Sequence, residues 1–356
     1  MSALPGPVMI AAGGTGGHVM PALAVARELH ERGVDVTWVG TARGLESRLV
    51  PAAGIVIDWL SVEGIRGKGV LSLLLAPINI LRACTQAWRI MRERRPIAVL
   101  GMGGFVAGPA GLVAWLTRRP LIIHEQNAIA GVTNRLLRPL ATRALQAVPD
   151  ALADTAMTVG NPVRREIAEA QTPQTRFAER SVPVRLLVLG GSQGSRALNE
   201  VLPAALATVN TEVSVTHQCG KGHLAATASR YGSNPNVAVS EFIDSIGTAM
   251  EEADLVVCRS GAMTVAELCS VGVGSILVPF PFAVDDHQSA NAKPLVETDA
   301  ALLRQESDLT PQWLSDRLND LLSDRVRLLE MAVAARNLAK PNAAIDVAEV
   351  VLEVSR

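Results

Sequence analysis

Short apolar runs alternate with helix-like stretches through the first half of the chain. Helical periodicity is clearest over about 20–32, where apolar residues recur every three or four positions. The apolar runs predict strands at 8–12, 34–40, 97–101, 121–125 and 143–148. Such alternation of strands and helices predicts a parallel, doubly wound sheet with right-handed crossovers.

The same order begins again after a polar stretch with two prolines at 168–183. The second half predicts a strand, a glycine loop and a helix over 184–209, strands at 213–220, 237–243, 253–261 and 274–280, and helices at about 312–338 and 343–354. This duplication predicts an α/β protein with two Rossmann-like domains, 1–162 and 163–340. A C-terminal helix at about 341–356 is expected to pack back on the first domain. Ligands are expected in a cleft between the carboxyl ends of the strands.

Composition narrows the class of protein. The chain has 356 residues, more than one core usually holds, and its net charge of −1 disfavours nucleic-acid binding. The four cysteines lack metal-ligand spacing, which favours a reduced, cytosolic setting, and MSALPGP lacks the charged region of a signal peptide. The uncharged stretch 97–116 is long enough to span a bilayer, but its five glycines and Pro109 favour a strand, a loop and a short helix.

Three glycine-rich loops follow predicted strands, at Gly13–Gly17, Gly101–Gly104 and Gly190–Gly194. Each alone could be a tight turn that packs a helix on a sheet. Glycines also let a backbone approach an anion at a helix N-terminus, so three such loops favour the phosphate groups of two substrates. The dinucleotide fingerprint is incomplete, because Val19 stands where its last glycine is expected, and no P-loop motif is present.

A set of motifs distributed over nearly the whole chain closely resembles the MurG family of peptidoglycan glycosyltransferases. The motifs are GGTGGHVMPALA, RGLESRLVP, GIRGKG, GMGGFVAGP, HEQNAIAGVTNRLL, GNPVR, GGSQGSRALN, EFID, RSGAMTVAEL and DDHQSANA. One departure is HVMP where the family usually has HVFP. The resemblance implies a GT-B fold and inverting, metal-independent transfer of N-acetylglucosamine from UDP-N-acetylglucosamine to undecaprenyl-pyrophosphoryl-MurNAc-pentapeptide (lipid I), which gives lipid II, without a cofactor.

The resemblance also implies which residues bind the donor: Thr15, Gly16, Gly17, Asn127, Arg164, Ser192, Ile243, Ala262, Met263, Thr264, Val265, Ala266, Glu267 and Gln288. It places the backbone of Ile243 against uracil, Glu267 against the ribose hydroxyls, and Gln288 and Asn127 near the sugar. The backbone of Gly190–Gly194, with Ser192 and Arg164, would supply positive charge to the diphosphate. Structural alternatives stay open: a surface ion pair for Arg164, a helix cap for Ser192, a solvated helix carboxylate for Glu267, and loop-capping amides for Gln288 and Asn127.

An inverting transfer needs a base for the acceptor hydroxyl. His18 follows the first glycine loop and titrates in a useful range, although a lone histidine is often structural. Glu125 in HEQN is the competing candidate, and His124 is expected to be structural. By the resemblance, the acceptor is held by Gly13, Gly14, Gly103 and Gly104.

Residues 65–95 combine an apolar stretch with arginines. The residues concerned are Leu71, Leu73, Leu74, Leu75, Ile78, Ile80, Leu81 and Trp88, with Arg82, Arg89, Arg92, Arg94 and Arg95. They predict peripheral binding to the anionic cytoplasmic face of the bacterial inner membrane, or else a core helix with a basic end. Expected partners are both substrates, that surface and other cell-wall synthesis proteins.

Two other functions remain open. The chain could be a different UDP-sugar enzyme of this fold, such as a transferase with another acceptor or an epimerase. It could instead be a nucleotide-sugar-binding regulator without turnover.

Overall fold

The computed structural model describes residues 6–62, 76–180 and 182–355. These form two compact units. The first unit comprises Met1–Arg164 and Pro341–Arg356, and the second comprises Arg165–Lys340. The stretch Leu71–Leu75 and the GIRGKG motif, both used above, lie outside the described residues.

The first unit is built on a parallel sheet with the strand order β3-β2-β1-β4-β5-β6-β7. Its strands are β1 (Val8–Ala11), β2 (Val36–Gly40), β3 (Val56–Trp59), β4 (Ala98–Gly101), β5 (Leu121–Glu125), β6 (Arg143–Gln146) and β7 (Met157–Thr158). Its helices are α1 (Gly16–Glu31), α2 (Glu46–Ala52), α3 (Ala76–Arg94), α4 (Ala107–Leu116) and α5 (Val132–Leu137), followed by a 3₁₀ turn (Arg138–Leu140). The C-terminal helix, α15 (Ala343–Val354), also belongs to this unit.

Central strands of this sheet are buried on both faces, which explains their unbroken apolar character. Val8 and Ile10 pack into a core that includes α1 and α15, whereas Met9 and Ala11 pack into a second core with α3 and α4. Side chains of β1 therefore alternate between two helical layers.

The second unit repeats this arrangement with the strand order β10-β9-β8-β11-β12-β13. Its strands are β8 (Val184–Leu189), β9 (Val213–Gln218), β10 (Val237–Ser240), β11 (Leu255–Cys258), β12 (Gly274–Leu277) and β13 (Ala301–Leu303). Its helices are α6 (Arg165–Ala168), α7 (Pro173–Ala178), α8 (Arg196–Leu206), α9 (Leu224–Tyr231), α10 (Ile246–Glu252), α11 (Ala262–Val271), α12 (His287–Glu297), α13 (Pro311–Leu322) and α14 (Arg325–Asn337), with 3₁₀ turns at Val284–Asp286 and Glu306–Asp308.

Each sheet has one point where the strand order reverses. The chain leaves β1 toward β2 and β3 and returns on the other side of β1 at β4. In the second unit the corresponding strands are β8 and β11. Because open α/β sheets bind ligands beyond the carboxyl ends of the strands at such switch points, the loops after these four strands are the places to look for a site.

The predicted doubly wound sheets are confirmed, with two local corrections. Helix α1 begins at Gly16 rather than near residue 20, because the two glycines join the helix although the apolar pattern starts only at Val19. The stretch 312–338 is two helices, since Asp324 accepts a hydrogen bond from the Arg327 N–H at 2.9 Å and caps the second one.

The uncharged stretch 97–116 forms β4, a glycine loop and α4, as predicted. Of the helices in the described ranges, none combines the length and apolar character needed to cross a bilayer.

Candidate active site

Two glycine loops of the first unit lie against each other at its switch point. A Cβ on Gly104, whose φ is +79°, would lie 2.4 Å from the Gly13 carbonyl oxygen. A Cβ on Gly103, whose φ is +92°, would lie 2.6 Å from Nδ1 of His18. The fold therefore brings three of the predicted acceptor-binding glycines together with the candidate base, in contacts that a larger residue would prevent.

The carboxylate of Glu46 anchors the first glycine loop. Its buried carboxylate accepts hydrogen bonds from the Gly14 N–H at 3.0 Å, the Thr41 N–H at 2.9 Å and the Thr41 hydroxyl at 2.7 Å. The N–H of Gly14, a residue predicted to bind the acceptor, is thus already paired with an anion. Sequence reasoning missed this role, although Glu46 lies in the RGLESRLVP motif.

His18 is half-buried in the first turn of α1, with Nδ1 3.2 Å from Oε1 of Gln126. Burial is the largest effect on its pKa and lowers it below the usual value. The charges of Glu125 and Glu46 and hydrogen bonds to Gln126 and the Met102 carbonyl oppose that shift. The imidazole is therefore neutral at pH 7, the form that a general base requires.

Glu125, the competing base, is buried at the end of β5 and bound by its own loop. Oε1 accepts from the N–H and side-chain amide of Asn127, at 3.0 and 3.3 Å. Oε2 accepts from the Gly131 N–H at 3.0 Å and the Asn134 amide at 2.8 Å. These four hydrogen bonds engage both carboxylate oxygens within the loop after β5, so this geometry favours His18 as the base.

The structure also describes the other residues predicted in the first unit. Thr15 is exposed at the N-cap position of α1, and its hydroxyl makes no capping bond, while Gly16 and Gly17 form the first helical positions. Asn127 is half-buried, and Arg164 is half-buried at the end of the first segment of this unit. The wholly buried His124 ring bonds the Gly160 carbonyl through Nε2 at 2.9 Å, and burial lowers its pKa to about 4.

The glycine loop of the second unit is held by neutral groups alone. The Gly190 N–H donates to the Gln218 carbonyl at 2.9 Å, and the Gly194 N–H donates to the Gly191 carbonyl at 3.0 Å. A Cβ on Gly194 would lie 2.5 Å from the Cys219 carbonyl oxygen. Among the described residues, none accepts a hydrogen bond from the N–H groups of 191–193, so these remain available to an anion.

Ser192 is exposed in this loop, and it is not the helix cap. That position belongs to Ser195, whose hydroxyl accepts from the Leu198 N–H at 3.4 Å. The capping alternative for Ser192 is therefore wrong.

The N-terminus of α11 lies on the other side of the second switch point. The helix begins at Ala262 after Gly261, without a side-chain cap, and residues 262–267 are all partly exposed. Glu267 lies near the end of β11, since its charge adds to burial in raising the pKa of Cys258 to about 12. These groups could hold an anion and a hydroxyl-rich ligand.

Of two further predicted donor residues in the second unit, Ile243 lies on a loop and Gln288 lies in the first turn of α12. Ile243 is half-buried after β10, and its backbone makes no hydrogen bond with any described residue. Gln288 Oε1 accepts from the Phe280 N–H at 2.8 Å, which ties its amide to the loop after β12.

Arg259 braces that loop, a role that the sequence did not suggest. Its guanidinium donates to the carbonyls of Val278 at 3.1 Å and Pro279 at 3.0 Å, and it pairs with Glu306. The RSG motif in which it lies was the available signal.

Comparisons with known proteins agree with this architecture. The Glycosyltransferase family 28 N-terminal domain matches residues 8–146, and the C-terminal domain of the same family matches residues 185–347. A UDP-N-acetylglucosamine–N-acetylmuramyl-(pentapeptide) pyrophosphoryl-undecaprenol N-acetylglucosamine transferase of Xanthomonas euvesicatoria is 51% identical over 99% of this chain and 82% of its own length. The protein of that name from Marinobacter nauticus is 48% identical over 98% of this chain and 97% of its own.

The crystal structure of Acinetobacter baumannii MurG is similar throughout, with a TM-score of 0.86, 40% identity and coverage of 98% of this chain and 100% of that one. Two Rossmann-like units with glycine loops at their switch points, matched in this way, define a glycosyltransferase of the GT-B fold. The chain belongs to glycosyltransferase family 28 and, within it, to the MurG family.

Proposed function

We propose that this chain transfers N-acetylglucosamine from UDP-N-acetylglucosamine to lipid I, which gives lipid II in peptidoglycan synthesis. The observation that carries the proposal is the 51% identity, along 99% of the chain, to a relative that bears the name of this transferase.

The second unit binds the donor in this proposal. The N–H groups of residues 191–193 and the start of α11 hold the diphosphate, and they stabilise the negative charge that grows on UDP as it leaves. The loop at Ile243 binds the uracil ring, and Glu267 binds the ribose hydroxyls. The side-chain amides of Gln288 and Asn127 bind the N-acetylglucosamine. Arg164, Ser192, Thr15, Gly16 and Gly17 complete the donor set.

The acceptor is bound by Gly13, Gly14, Gly103 and Gly104 of the first unit, beside His18. The imidazole takes the proton of the acceptor hydroxyl while that oxygen forms a bond to the anomeric carbon. The bond from this carbon to UDP breaks, and UDP leaves with the electron pair. This single displacement inverts the anomeric configuration, and backbone N–H groups supply the charge stabilisation that a metal ion provides in other enzymes.

The deciding experiment is incubation with UDP-N-acetylglucosamine and a short-chain lipid I analogue, with and without EDTA. Mass spectrometry should find the disaccharide product and UDP in equal amounts at the same rate in both samples. Loss of turnover in EDTA would refute metal independence alone. A different product would support another UDP-sugar enzyme, and binding without turnover would support a regulator.

Comparison of His18→Ala with Glu125→Ala tests the assignment of the base. At saturating substrates, kcat should fall by about 100-fold or more in the first variant, because general-base catalysis typically contributes that much. Glu125→Ala should instead lower the midpoint of thermal unfolding, since its loop loses four hydrogen bonds. Unchanged kcat in His18→Ala would remove His18 from this role.

We also propose that the first unit binds the anionic cytoplasmic face of the inner membrane, with other cell-wall synthesis proteins as partners there. Adjacent helices α3, α4 and α5 expose apolar side chains: Ile78, Ile80, Leu81, Trp88, Trp115, Leu116, Val132 and Leu136. A cavity of about 310 Å³ beside them is lined by Met91, Arg92, Arg95, Thr117 and Arg119. Arg94 of the predicted cluster does not contribute, because it forms a two-pronged ion pair with Asp58.

Flotation with phosphatidylglycerol vesicles tests this surface. Leu136→Glu, at a side chain 69% exposed in the first unit, should weaken binding at low salt. Val326→Glu, at a side chain 68% exposed in the second unit, is the matched control and should bind like the parent chain. Equal binding by both variants would contradict the assignment.

A further inference from the structure

The side chain of Gln126 connects the end of one strand to the candidate base. It follows β5, is 1% exposed, and its backbone carbonyl accepts from the Asn161 amide at 3.0 Å. Its own amide lies between two groups that come from other parts of the chain. Nε2 is 2.9 Å from the Met102 carbonyl oxygen, and Oε1 is 3.2 Å from Nδ1 of His18.

Hydrogen-bond chemistry determines which way this amide faces. A carbonyl oxygen only accepts, so the group next to Met102 must be the NH₂ of Gln126. The amide oxygen therefore faces the His18 ring, and it too can only accept. Nδ1 of His18 must carry the proton, which leaves the lone pair of the neutral ring on Nε2.

The surroundings of the ring agree with this tautomer. Nδ1 is enclosed by Gly103, where even a Cβ would come within 2.6 Å. The hydrogen bond to Gln126 uses Nδ1 and not Nε2, and His18 as a residue is half-buried. The nitrogen with the lone pair is thus the one left to meet a substrate hydroxyl.

The buried histidine of the second unit shows the contrast. His217 uses both ring nitrogens, since Nδ1 lies 2.7 Å from the Tyr231 hydroxyl and Nε2 lies 3.0 Å from Oδ1 of Asn199. Side chains therefore bond both nitrogens of that ring, whereas the side chain that bonds His18, Gln126, does so at Nδ1. Such one-sided support is what orients a catalytic imidazole.

We propose that Gln126 is a positioning residue that fixes the Nδ1–H tautomer of His18 and so presents Nε2 as the base. This inference rests on the proposed function, in which His18 accepts the proton of the acceptor hydroxyl. After the transfer both ring nitrogens carry protons, and the imidazolium keeps its Nδ1–H bond to the amide oxygen of Gln126. Glu125 and Glu46 are the charged groups that stabilise this cation.

The tautomer can be observed directly in the unmodified protein. Long-range ¹H–¹⁵N correlation spectra can be recorded on ¹⁵N-histidine-labelled protein above pH 8, and the His18 signals can be assigned by their loss in His18→Ala. They should show that Nδ1 is protonated and that Nε2 is unprotonated. An unprotonated Nδ1 would overturn the proposal, whether or not the enzyme is active.

Kinetics then separate the role of Gln126 from that of His18. Gln126→Met keeps the length of the side chain without its hydrogen bonds. It should lower kcat by roughly ten- to a thousandfold with little change in either KM, because the base is then present in the wrong tautomer for part of the time. Gln126→Glu keeps an acceptor for Nδ1–H, so it should retain more turnover and move the acidic limb of the kcat profile to higher pH.

A double mutant completes the test. In the His18→Ala background, Gln126→Met should have no further effect on kcat, because it acts through the ring. Full turnover in Gln126→Met with an impaired His18→Ala would refute the role of Gln126 alone. Full turnover in His18→Ala would refute the base itself.

Discussion

The two units use the same strand–glycine loop–helix element, but they anchor it differently. In the first unit the loop is tied to a buried carboxylate, because the Gly14 N–H donates to Glu46. In the second unit the loop is tied to neutral backbone groups, since its N–H groups donate to carbonyls and the Ser192 carbonyl accepts from the Lys221 N–H, and the N–H groups of residues 191–193 have no partner among the described residues.

This difference indicates a division of work between the loops. A loop that already pairs with an anion, with a second negative charge nearby on Glu125, attracts a diphosphate weakly. It suits a sugar hydroxyl and the imidazole that deprotonates it. In the proposed function, the N–H groups of residues 191–193 in the second unit bind the diphosphate of the donor. We therefore propose that the second loop binds an anion and that the first loop carries the base, whereas the sequence predicts phosphate binding by both.

The largest expected effect comes from replacing one glycine in each loop, because the two substitutions should impair different substrates. Gly104→Ala forces a Cβ to within 2.4 Å of the Gly13 carbonyl oxygen, and Gly194→Ala forces one to within 2.5 Å of the Cys219 carbonyl oxygen. The first should lower kcat/KM for the acceptor about 100-fold and leave the Kd for UDP unchanged, since small misplacements at a reacting group cost that much. The second should raise the Kd for UDP at least tenfold.

Isothermal titration with UDP and initial-rate kinetics measure both variants. Gly33→Ala, just after α1 and outside both loops, is the control, because its φ is +74° but no atom lies within 4 Å of the added Cβ. It should show only the strain of the left-handed backbone, about 1 kcal/mol. If Gly104→Ala weakened UDP binding as much as Gly194→Ala, the division of work would be wrong.

Removing the carboxylate that anchors the first loop should have the next largest effect. Glu46→Gln replaces one carboxylate oxygen with an NH₂ group, which cannot accept from the Gly14 or Thr41 N–H. The loss of a hydrogen bond to a charged group that is only partly buried should cost about 1.5 to 3 kcal/mol. Urea unfolding followed by circular dichroism should show this loss. Glu200→Gln, which breaks an exposed pair with Arg196, should change stability by less than about 0.5 kcal/mol.

Acid should weaken both units and the first unit more, since burial lowers the pKa of His217 in the second unit but the pKa of both His124 and His18 in the first. Burial lowers the pKa of His124 and of His217 to about 4 from 6.5. The unfolded chain binds protons below pH 6.5 and the folded one does not, so this stability is complete above pH 6.5 and is lost as the pH falls toward 4. At pH 5 the loss should be about 2 kcal/mol from His217 in the second unit and about 2 kcal/mol from His124 in the first, to which His18 adds.

Hydrogen exchange measured by mass spectrometry at pH 5 and pH 7, corrected for intrinsic rates, reports this loss for each unit separately. His217→Gln should remove the acid sensitivity of the second unit and leave that of the first. Persistence of the same sensitivity in both units would show that other groups cause it.

Local sequence patterns were enough to place the glycine loops, because each follows a buried apolar strand. They also contained the signal for the break in 312–338, where Ser323 and Asp324 form a helix stop and a cap. Short edge strands such as β7, of only two exposed residues, left no readable pattern.

The contacts that distinguish the loops could not be read from local patterns. Glu46 and Gly14 are 32 positions apart, and Gln126 and His18 are 108 positions apart. Such pairs depend on how the strands are ordered in the sheet, and periodicity carries no information about them. Resemblance to a family marked the motifs that contain these residues, but the chemistry of each contact required the fold.

The smallest expected effect concerns the N-cap residues of α1 and α8, the helices that follow the two glycine loops. Ser195 caps α8 through its hydroxyl, whereas Thr15 occupies the same position before α1 without a capping bond. Ser195→Ala should therefore cost about 1 kcal/mol of stability, and Thr15→Ala should cost close to nothing. Because the Thr15 hydroxyl is free of a structural task, Thr15→Ala should act on the KM for the donor sugar instead. Thermal unfolding and initial rates, measured on both variants, test the pair. A stability loss in Thr15→Ala equal to that in Ser195→Ala would mean that the two helices begin in the same way, and would remove this part of the contrast.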